Sequence, residues 1–341
     1  MEIHLNIKSK TPIYKQLVET IKHAVKSGSV KEGDALPSMN ELAAKEDISR
    51  ETVKKAYTIL TKDGIIVPRQ GKGFYIARQD SNSKLSILLI FDKISIYKQE
   101  LFNSFTSVLG DKAECTILTH NQSLDLLQYY LDNYLDNYDY YVVTPHFPLD
   151  EASQKRACKL MSRIPNRKLI MMDRLLPGFP GHFGAIYQDF DNDAYYGLTQ
   201  GLDKLQKCRL LRVITLPESL YGGHVRKGVE RFCSEHSVPV EFISAPPQKI
   251  SKGEVFLLLN SQLDSGLAAL ARRIADQHLR IGQDVSIISY NEFELNEVVL
   301  GGLTTISADF KLMGRRAAEM ILDQNPEKIH CDFRMTRRST F

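Results

Sequence analysis

Near residue 50 the chain reads Ser49-Arg50-Glu51-Thr52-Val53-Lys54-Lys55, which puts two hydroxyls, a guanidinium and two ammonium groups within two helical turns. A second basic group follows at Arg69-Gln70-Gly71-Lys72-Gly73, where the glycines let the backbone approach a partner closely. Neither set pairs a nucleophile with a base. Their chemistry is contact with phosphate oxygens and base edges, from arginine forks, ammonium groups and hydroxyls. Val53, Ala56, Tyr57 and Leu60 face inward on a helix capped by Ser49. Arg50, Thr52, Lys54 and Lys55 are left on the other side or near its N-terminus, where the helix dipole favours phosphate. A solvated helix face would carry the same charges; the adjoining glycine-lysine turn favours contact with DNA.

Catalytic patterns are missing. There is no G-x-G-x-x-G after a strand, no P-loop, no G-x-S-x-G and no histidine pair at metal spacing. His146, His182 and His224 stand alone, so neither a metal nor a cofactor is expected, and an enzyme is the weaker reading. The five cysteines are scattered without a C-x-x-C pair, which argues against a zinc site or disulfide framework. The first residues hold no signal core and no apolar run approaches the roughly 18 residues of a bilayer span, so a cytoplasmic protein with no membrane partner is expected.

The elements that must position the basic residues fill positions 1–79. Thr11-Pro12 opens a first helix with Ile13, Leu17, Ile21 and Val25 in one stripe, and Ser27-Gly28 ends it. Ser38 with Glu41 fits a capping box for a second helix, and Asp47-Ile48-Ser49 is the tight turn before the third. Gly64 ends that helix, and 65–67 and 74–76 are short strands around the basic turn. The order is a winged helix-turn-helix. These 79 residues hold 14 Lys and Arg against 9 Asp and Glu, whereas the remainder holds 30 against 32. A basic head on a near-neutral body suits phosphate contact by the head.

Residues 11–77 resemble the winged-helix domain of GntR-type bacterial transcription regulators, through P-x-Y-x-Q, L-P-S-x-x-E-L-A, S-R-x-T-V-x-x-A-Y and R-Q-G-x-G. The resemblance implies DNA contacts at Ser38, Asn40, Ser49, Arg50, Thr52, Lys54, Gln70 and Gly71; Lys55 and Lys72 join them as neighbouring cations. Asn40 stands where such domains usually have arginine, which implies a different operator.

After a polar linker at 80–84 the periodicity changes. Apolar runs at 85–90, 139–143, 168–172, 209–214, 254–259 and 285–289 alternate with helical patterns such as Leu198, Leu202 and Leu205, or Leu267, Leu270, Ala271 and Ile274. This alternation implies an α/β body of parallel sheets, with ligands bound beyond the carboxyl ends of strands. Polar residues follow those runs: Asp92 with Tyr97 and Lys98, Thr144 with His146, Asp173-Arg174, Tyr221 with Arg226, Asn260, and Asn291-Glu292. Amides, carboxylates, a guanidinium and rings suit a polyhydroxylated ligand, although any single aspartate after a strand could equally cap a helix.

Residues 85–341 resemble the effector domain of LacI/GalR-type repressors, whose fold is that of periplasmic sugar-binding proteins. The motifs are Leu303-Thr304-Thr305-Ile306 with Asp309-Phe310 and Met313-Gly314, Met172-Asp173-Arg174, Asp189-Phe190-Asp191, and the stretch 285–292. The resemblance implies two lobes, dimerisation through the body, and ligand contacts at Tyr97, Lys98, Asp173, Asn260 and Asn291; Arg174 and Arg226 are added from their chemistry. Asn291 replaces the usual aspartate, and the usual arginine before Gly228 is Val225. A GntR-type head on a LacI-type body is similar to arabinose- and fucose-responsive repressors, which implies a homodimer on a double-stranded operator controlled by a small sugar. The sign of the response stays open, as does a constitutive DNA binder with a body used only for dimerisation.

Overall fold

The structure, a computed structural model, describes residues 5, 12–26, 28–77, 84–215, 219–259 and 265–341. Thr11, Ser27 and Asn260, given above as a helix start, a helix end and a ligand contact, lie outside the described residues. Contacts divide the chain into two compact units, Met1–Ser83 and Lys84–Phe341.

In the first unit, α1 (Ile13–Lys26), α2 (Met39–Lys45) and α3 (Arg50–Lys62) are followed by an antiparallel pair, β1 (Ile66–Arg69) and β2 (Gly73–Ile76). The capping box forms as its residues require: Glu41 N–H donates to Ser38 Oγ at 3.2 Å, and Ser38 N–H donates to Glu41 Oε2 at 2.8 Å. Leu17, Ile21, Leu42, Val53, Leu60 and Ile66 are buried together, so each short helix is held by the others rather than by its own propensity. The first wing strand begins at Ile66 and runs to Arg69, one residue later and longer than the apolar pattern suggests.

The second unit has two lobes. Its elements in chain order are β3 (Leu85–Phe91), α4 (Ile96–Leu109), β4 (Ala113–Thr119), α5 (Leu124–Tyr134), β5 (Tyr140–Val143), α6 (Glu151–Met161), β6 (Leu169–Asp173), β7 (Gly184–Tyr187), α7 (Asp193–Thr199), α8 (Leu202–Leu205), β8 (Leu210–Ile214), α9 (Gly222–Glu235), β9 (Val240–Ile243), β10 (Glu254–Leu258), α10 (Ser265–Asp276), β11 (Ser286–Tyr290), β12 (Thr304–Ala308), α11 (Phe310–Leu322), β13 (Lys328–His330) and β14 (Phe333–Thr336). One sheet runs β13-β7-β6-β5-β3-β4, all parallel; the other runs β14-β12-β11-β10-β8-β9, parallel except for β14. The near-continuous apolar strands β3, β6 and β10 are what a parallel sheet covered by helices on both faces requires.

The chain passes between lobes after β7, between β12 and α11, and between β13 and β14. The pattern Leu198, Leu202, Leu205 is therefore not one helix. It breaks at Gly201, where an added Cβ would meet Met335 Cε at 2.8 Å.

Helices α4 and α11 cross in close contact because Gly314 has no side chain: a Cβ there would collide with the Leu101 carbonyl oxygen and lie 3.0 Å from Phe105 N. Gly314→Ala should therefore cost about 1–3 kcal/mol through overpacking. Urea denaturation of the full chain measures this, and an unchanged midpoint would show that the crossing can relax.

Candidate functional site

The head presents its basic residues from a braced helix. Ser49 Oγ accepts the Thr52 N–H at 3.1 Å, which fixes the start of α3. Tyr57 holds the helix from behind: its hydroxyl donates to Pro37 O at 2.8 Å, and its ring meets Phe74 of the wing edge-on with centroids 4.9 Å apart. Ser38, Asn40, Ser49, Arg50, Lys54, Gln70, Gly71 and Lys72 are exposed, with Thr52 half-buried. Gly71 (φ 71°) and Gly73 (φ 95°) occupy left-handed backbone in the wing turn, which suits glycine.

The cations differ in availability. Lys55 Nζ lies 3.9 Å from the centre of the Tyr14 ring, and Lys54 pairs with Glu51 at 3.6 Å. Among the described residues Arg50 and Lys72, both exposed, have no ion-pair partner.

In the body, a cavity of about 380 Å³ lies where the carboxyl ends of both sheets' strands face each other, a size ordinary for a small-molecule site. Tyr97, Lys98, Asp173 and Asn291 line it, together with Asp92, His146, Gln188, Phe190, Tyr221, Val225 and Tyr290. Two of the expected ligand residues do not. Arg174 turns away, with Nη1 donating to Pro145 O at 3.0 Å and Nη2 to Gln154 Oε1 at 2.9 Å, and its guanidinium packs against Tyr221, 5.4 Å from the ring centre. Arg226 sits on the outer side of α9, bonded to Glu230 at 2.7 Å and stacked over Phe242 at 4.1 Å. Its place on a regular helix is one position past Val225, and Val225 is the residue that reaches the cavity.

The cavity's polar wall is one connected network. Lys98 Nζ, buried at 2% side-chain exposure, bonds Asp173 and lies 3.2 Å from Asp92 Oδ1. His146 Nε2 lies 2.9 Å from Asp173 Oδ2, and an N–H facing that carboxylate leaves Nδ1 to accept from the Tyr221 hydroxyl at 2.8 Å. Gln188 Nε2 donates to the other Asp173 oxygen.

Burial would push Asp173 up, but Lys98 and then His146 outweigh it and hold the carboxyl below the usual range. Burial likewise opposes charge on Lys98, yet Asp173 and Asp92 raise it above an ordinary lysine. Asp92 is also lowered: Lys98 offsets its burial.

Phe190 stacks on Tyr221 with centroids 4.0 Å apart and planes 7° apart, so the ring from the second lobe is clamped by residues around the cleft. Asp173 (φ 70°) ends β6 and Asn291 (φ 74°) directly follows β11, both in left-handed backbone and at the same place in each lobe. Aspartate and asparagine tolerate this conformation, which clusters at functional sites. Gln188 and Tyr290 are cavity residues that reading strand ends does not assign, whereas Asp92, His146 and Tyr221 stand among the polar residues after strands. Only the fold shows that His146 bridges Asp173 and Tyr221.

Residues 13–76 match the model of bacterial regulatory proteins of the gntR family, and 206–339 match the periplasmic binding protein-like domain. The HTH-type transcriptional repressor YtrA of Bacillus subtilis is 37% identical over 99 residues, covering 29% of this chain and 72% of YtrA. The chain belongs to the gntR family. The chain spans less than half the length of several other curated relatives it matches, at 27–44% of their chains. In fold it is similar to the trehalose repressor from Escherichia coli (TM-score 0.59, 15% identity, 74% of this chain and 100% of that one). It is also similar to a periplasmic binding protein/LacI transcriptional regulator from Alkaliphilus metalliredigens complexed with D-xylulofuranose (TM-score 0.55, 16% identity, 75% and 99% covered). It is thus a DNA-binding transcription regulator with a periplasmic binding protein-like domain. Among the described residues no helix is long and apolar enough to cross a membrane, and no cluster of His, Cys, Asp and Glu could hold a metal.

Arg50→Ala should cost about 1–3 kcal/mol of operator binding if its fork reads a base. Lys72→Ala should weaken all duplexes alike and flatten the salt dependence of binding. Fluorescence anisotropy over a salt series separates the two, and identical losses on specific and random DNA for Arg50→Ala would refute base reading.

Proposed function

We propose that this regulator is a homodimeric repressor whose grip on its operator is set by a small sugar bound in the interlobe cavity. The observation that carries the reading is the polar chain Lys98–Asp173–His146–Tyr221, which lines the cavity and runs from the first lobe to the second. A ligand touching this chain contacts both lobes, so it favours the lobe arrangement that offers it the better contacts. In a dimer, that change would alter the relative placement of the two heads. A two-fold pair of winged helices doubles the base contacts of one, which supports dimeric binding to a palindrome.

An exposed apolar surface supports the second copy. Ile94 (72% exposed) and Ile96 (46%) in the first lobe, with Leu295 (48%) and Val298 (69%) in the second, leave apolar area in water. Ile96 and Leu295 line an open depression of about 560 Å³ shared by both lobes. Joining copies there would tie dimer geometry to lobe geometry.

Operator duplexes selected from a random pool by the full chain, then titrated with and without a panel of sugars, test the proposal. A coupling of about 1–3 kcal/mol would change operator affinity about 5–150-fold. Weakened binding with sugar fits release of a repressor. An affinity that no sugar alters would leave a constitutive DNA binder.

A further inference from the structure

Asp193 is a fully buried carboxyl placed where the chain passes between the lobes. It begins α7, a second-lobe helix whose Gly197 packs against Ile306 and Phe333. Across the boundary His330 ends β13 in the first sheet, and its Nε2 lies 3.0 Å from Asp193 Oδ1. The other Asp193 oxygen accepts the Asp189 N–H at 2.7 Å, within the first crossing. Beside the pair, Cys331 N–H donates to Tyr187 O at 2.8 Å and Cys331 Sγ lies 3.6 Å from Asp309 O. All three crossings therefore meet at this point.

Little around Asp193 favours its charge. Among the described residues His330 is its one ion-pair partner, and that side chain is 39% exposed. Asp189 adds a second carboxylate, bonded by Asn192 Nδ2 and by the Asp191 N–H at 3.2 Å. The cationic side chains of α9 are committed to neighbours: His224 to Asp191 at 2.9 Å, and Arg231 to Asn192 Oδ1 at 2.8 Å. Tyr290 of β11 lies close enough to feel the Asp193 charge, and the Tyr187 ring of β7 is 5.8 Å from the His330 ring. Asp309 caps α11 through the Leu312 N–H at 2.7 Å, and Asp332 pairs with Arg334 at 2.9 Å. Burial pushes the Asp193 carboxyl up to about 7, with His330 opposing the rise and Asp189 adding to it.

The geometry points to a proton-operated latch between the lobes, formed by Asp193 and His330. While the two share a proton they are neutral as a pair, and the crossings stay packed. When that proton leaves for solvent, a buried carboxylate remains beside a neutral imidazole, and hydration becomes its cheapest relief. Water can reach it from the exposed side of His330, by loosening that crossing and with it the contact between lobes. Rising pH through neutrality thus frees the lobes, whether or not the cavity binds an effector.

The folded carboxyl keeps its proton to higher pH than the unfolded one, whose ordinary value is 3.8. Stability therefore falls as pH rises from about 4 to about 7. Thermal unfolding of the full chain at pH 5.5 and pH 8 measures this. Over that interval the parent should lose about 2–6 °C more than Asp193→Asn, which can accept from Asp189 N–H but cannot ionise. Equal losses in the two proteins overturn the latch. His330→Gln keeps a donor without a cation, so it should retain the fall and move it to higher pH. A fall left in place by His330→Gln would also overturn the pairing.

Hydrogen exchange distinguishes a latch from a buried acid that acts on stability alone. At pH 8 the parent should exchange several-fold faster than Asp193→Asn at 187–193 and 328–333, and at pH 5.5 the two should match. The same ratio at both pH values, or no difference at either, would reject the proposal.

Discussion

A lysine buried between two aspartates is the interaction on which the body depends. Lys98 from α4, Asp92 after β3 and Asp173 at the end of β6 come from three elements of one lobe, and none could be buried alone without a large cost in lost hydration. Together they keep their charges, fix the carboxyl edge of the first sheet and leave Asp173 free to orient His146 and Gln188. Removing one partner from such a set is far more damaging than replacing the set with apolar residues, so its presence at a cavity rather than in the sheet core points to use.

From that edge the network reaches the second lobe through one hydrogen bond and one stacked ring, His146 to Tyr221 and Phe190 on Tyr221. Two packed lobes joined by three crossings have few ways to move relative to each other. A polar bridge across the cleft sits where a bound molecule has the greatest leverage on that motion. The head works by a simpler rule: a capped helix and a glycine turn hold cations outward from a small apolar core.

Much of this was legible in the residues. The capping box at Ser38 and Glu41, the Ser49 cap and the apolar runs of β3, β5, β6, β8, β10 and β11 follow local rules that the fold obeys. The strands that escaped notice were those whose sequence hides their burial. β12 buries Thr304, Thr305 and Ser307 by bonding their hydroxyls internally, to Arg338 O, Glu292 and Ala308 O, so it reads as polar. β4 and β9 are edge strands with mixed faces, and β7 carries Gly184 and Ala185 because α11 packs closely on it. In the site, the strand-end reading and the family resemblance name Tyr97, Lys98, Asp173 and Asn291, and these four line the cavity. Arg174 and Arg226, named with them, do not line it, because the direction of a long side chain is set by partners such as Gln154 and Glu230 rather than by position after a strand. Gln188 and Tyr290 needed the fold, since an amide and a phenol acquire meaning only when their hydrogen bonds can be counted.

The central claim is that one bound molecule engages both lobes. Hydrogen exchange of the full chain, with and without a sugar that raises its melting temperature, measures this most directly. The account predicts slower exchange at 92–98 and 173–190 together with 219–225 and 290–296, on both sides of the cleft. Protection confined to one lobe, with the other exchanging as in the free protein, would contradict it.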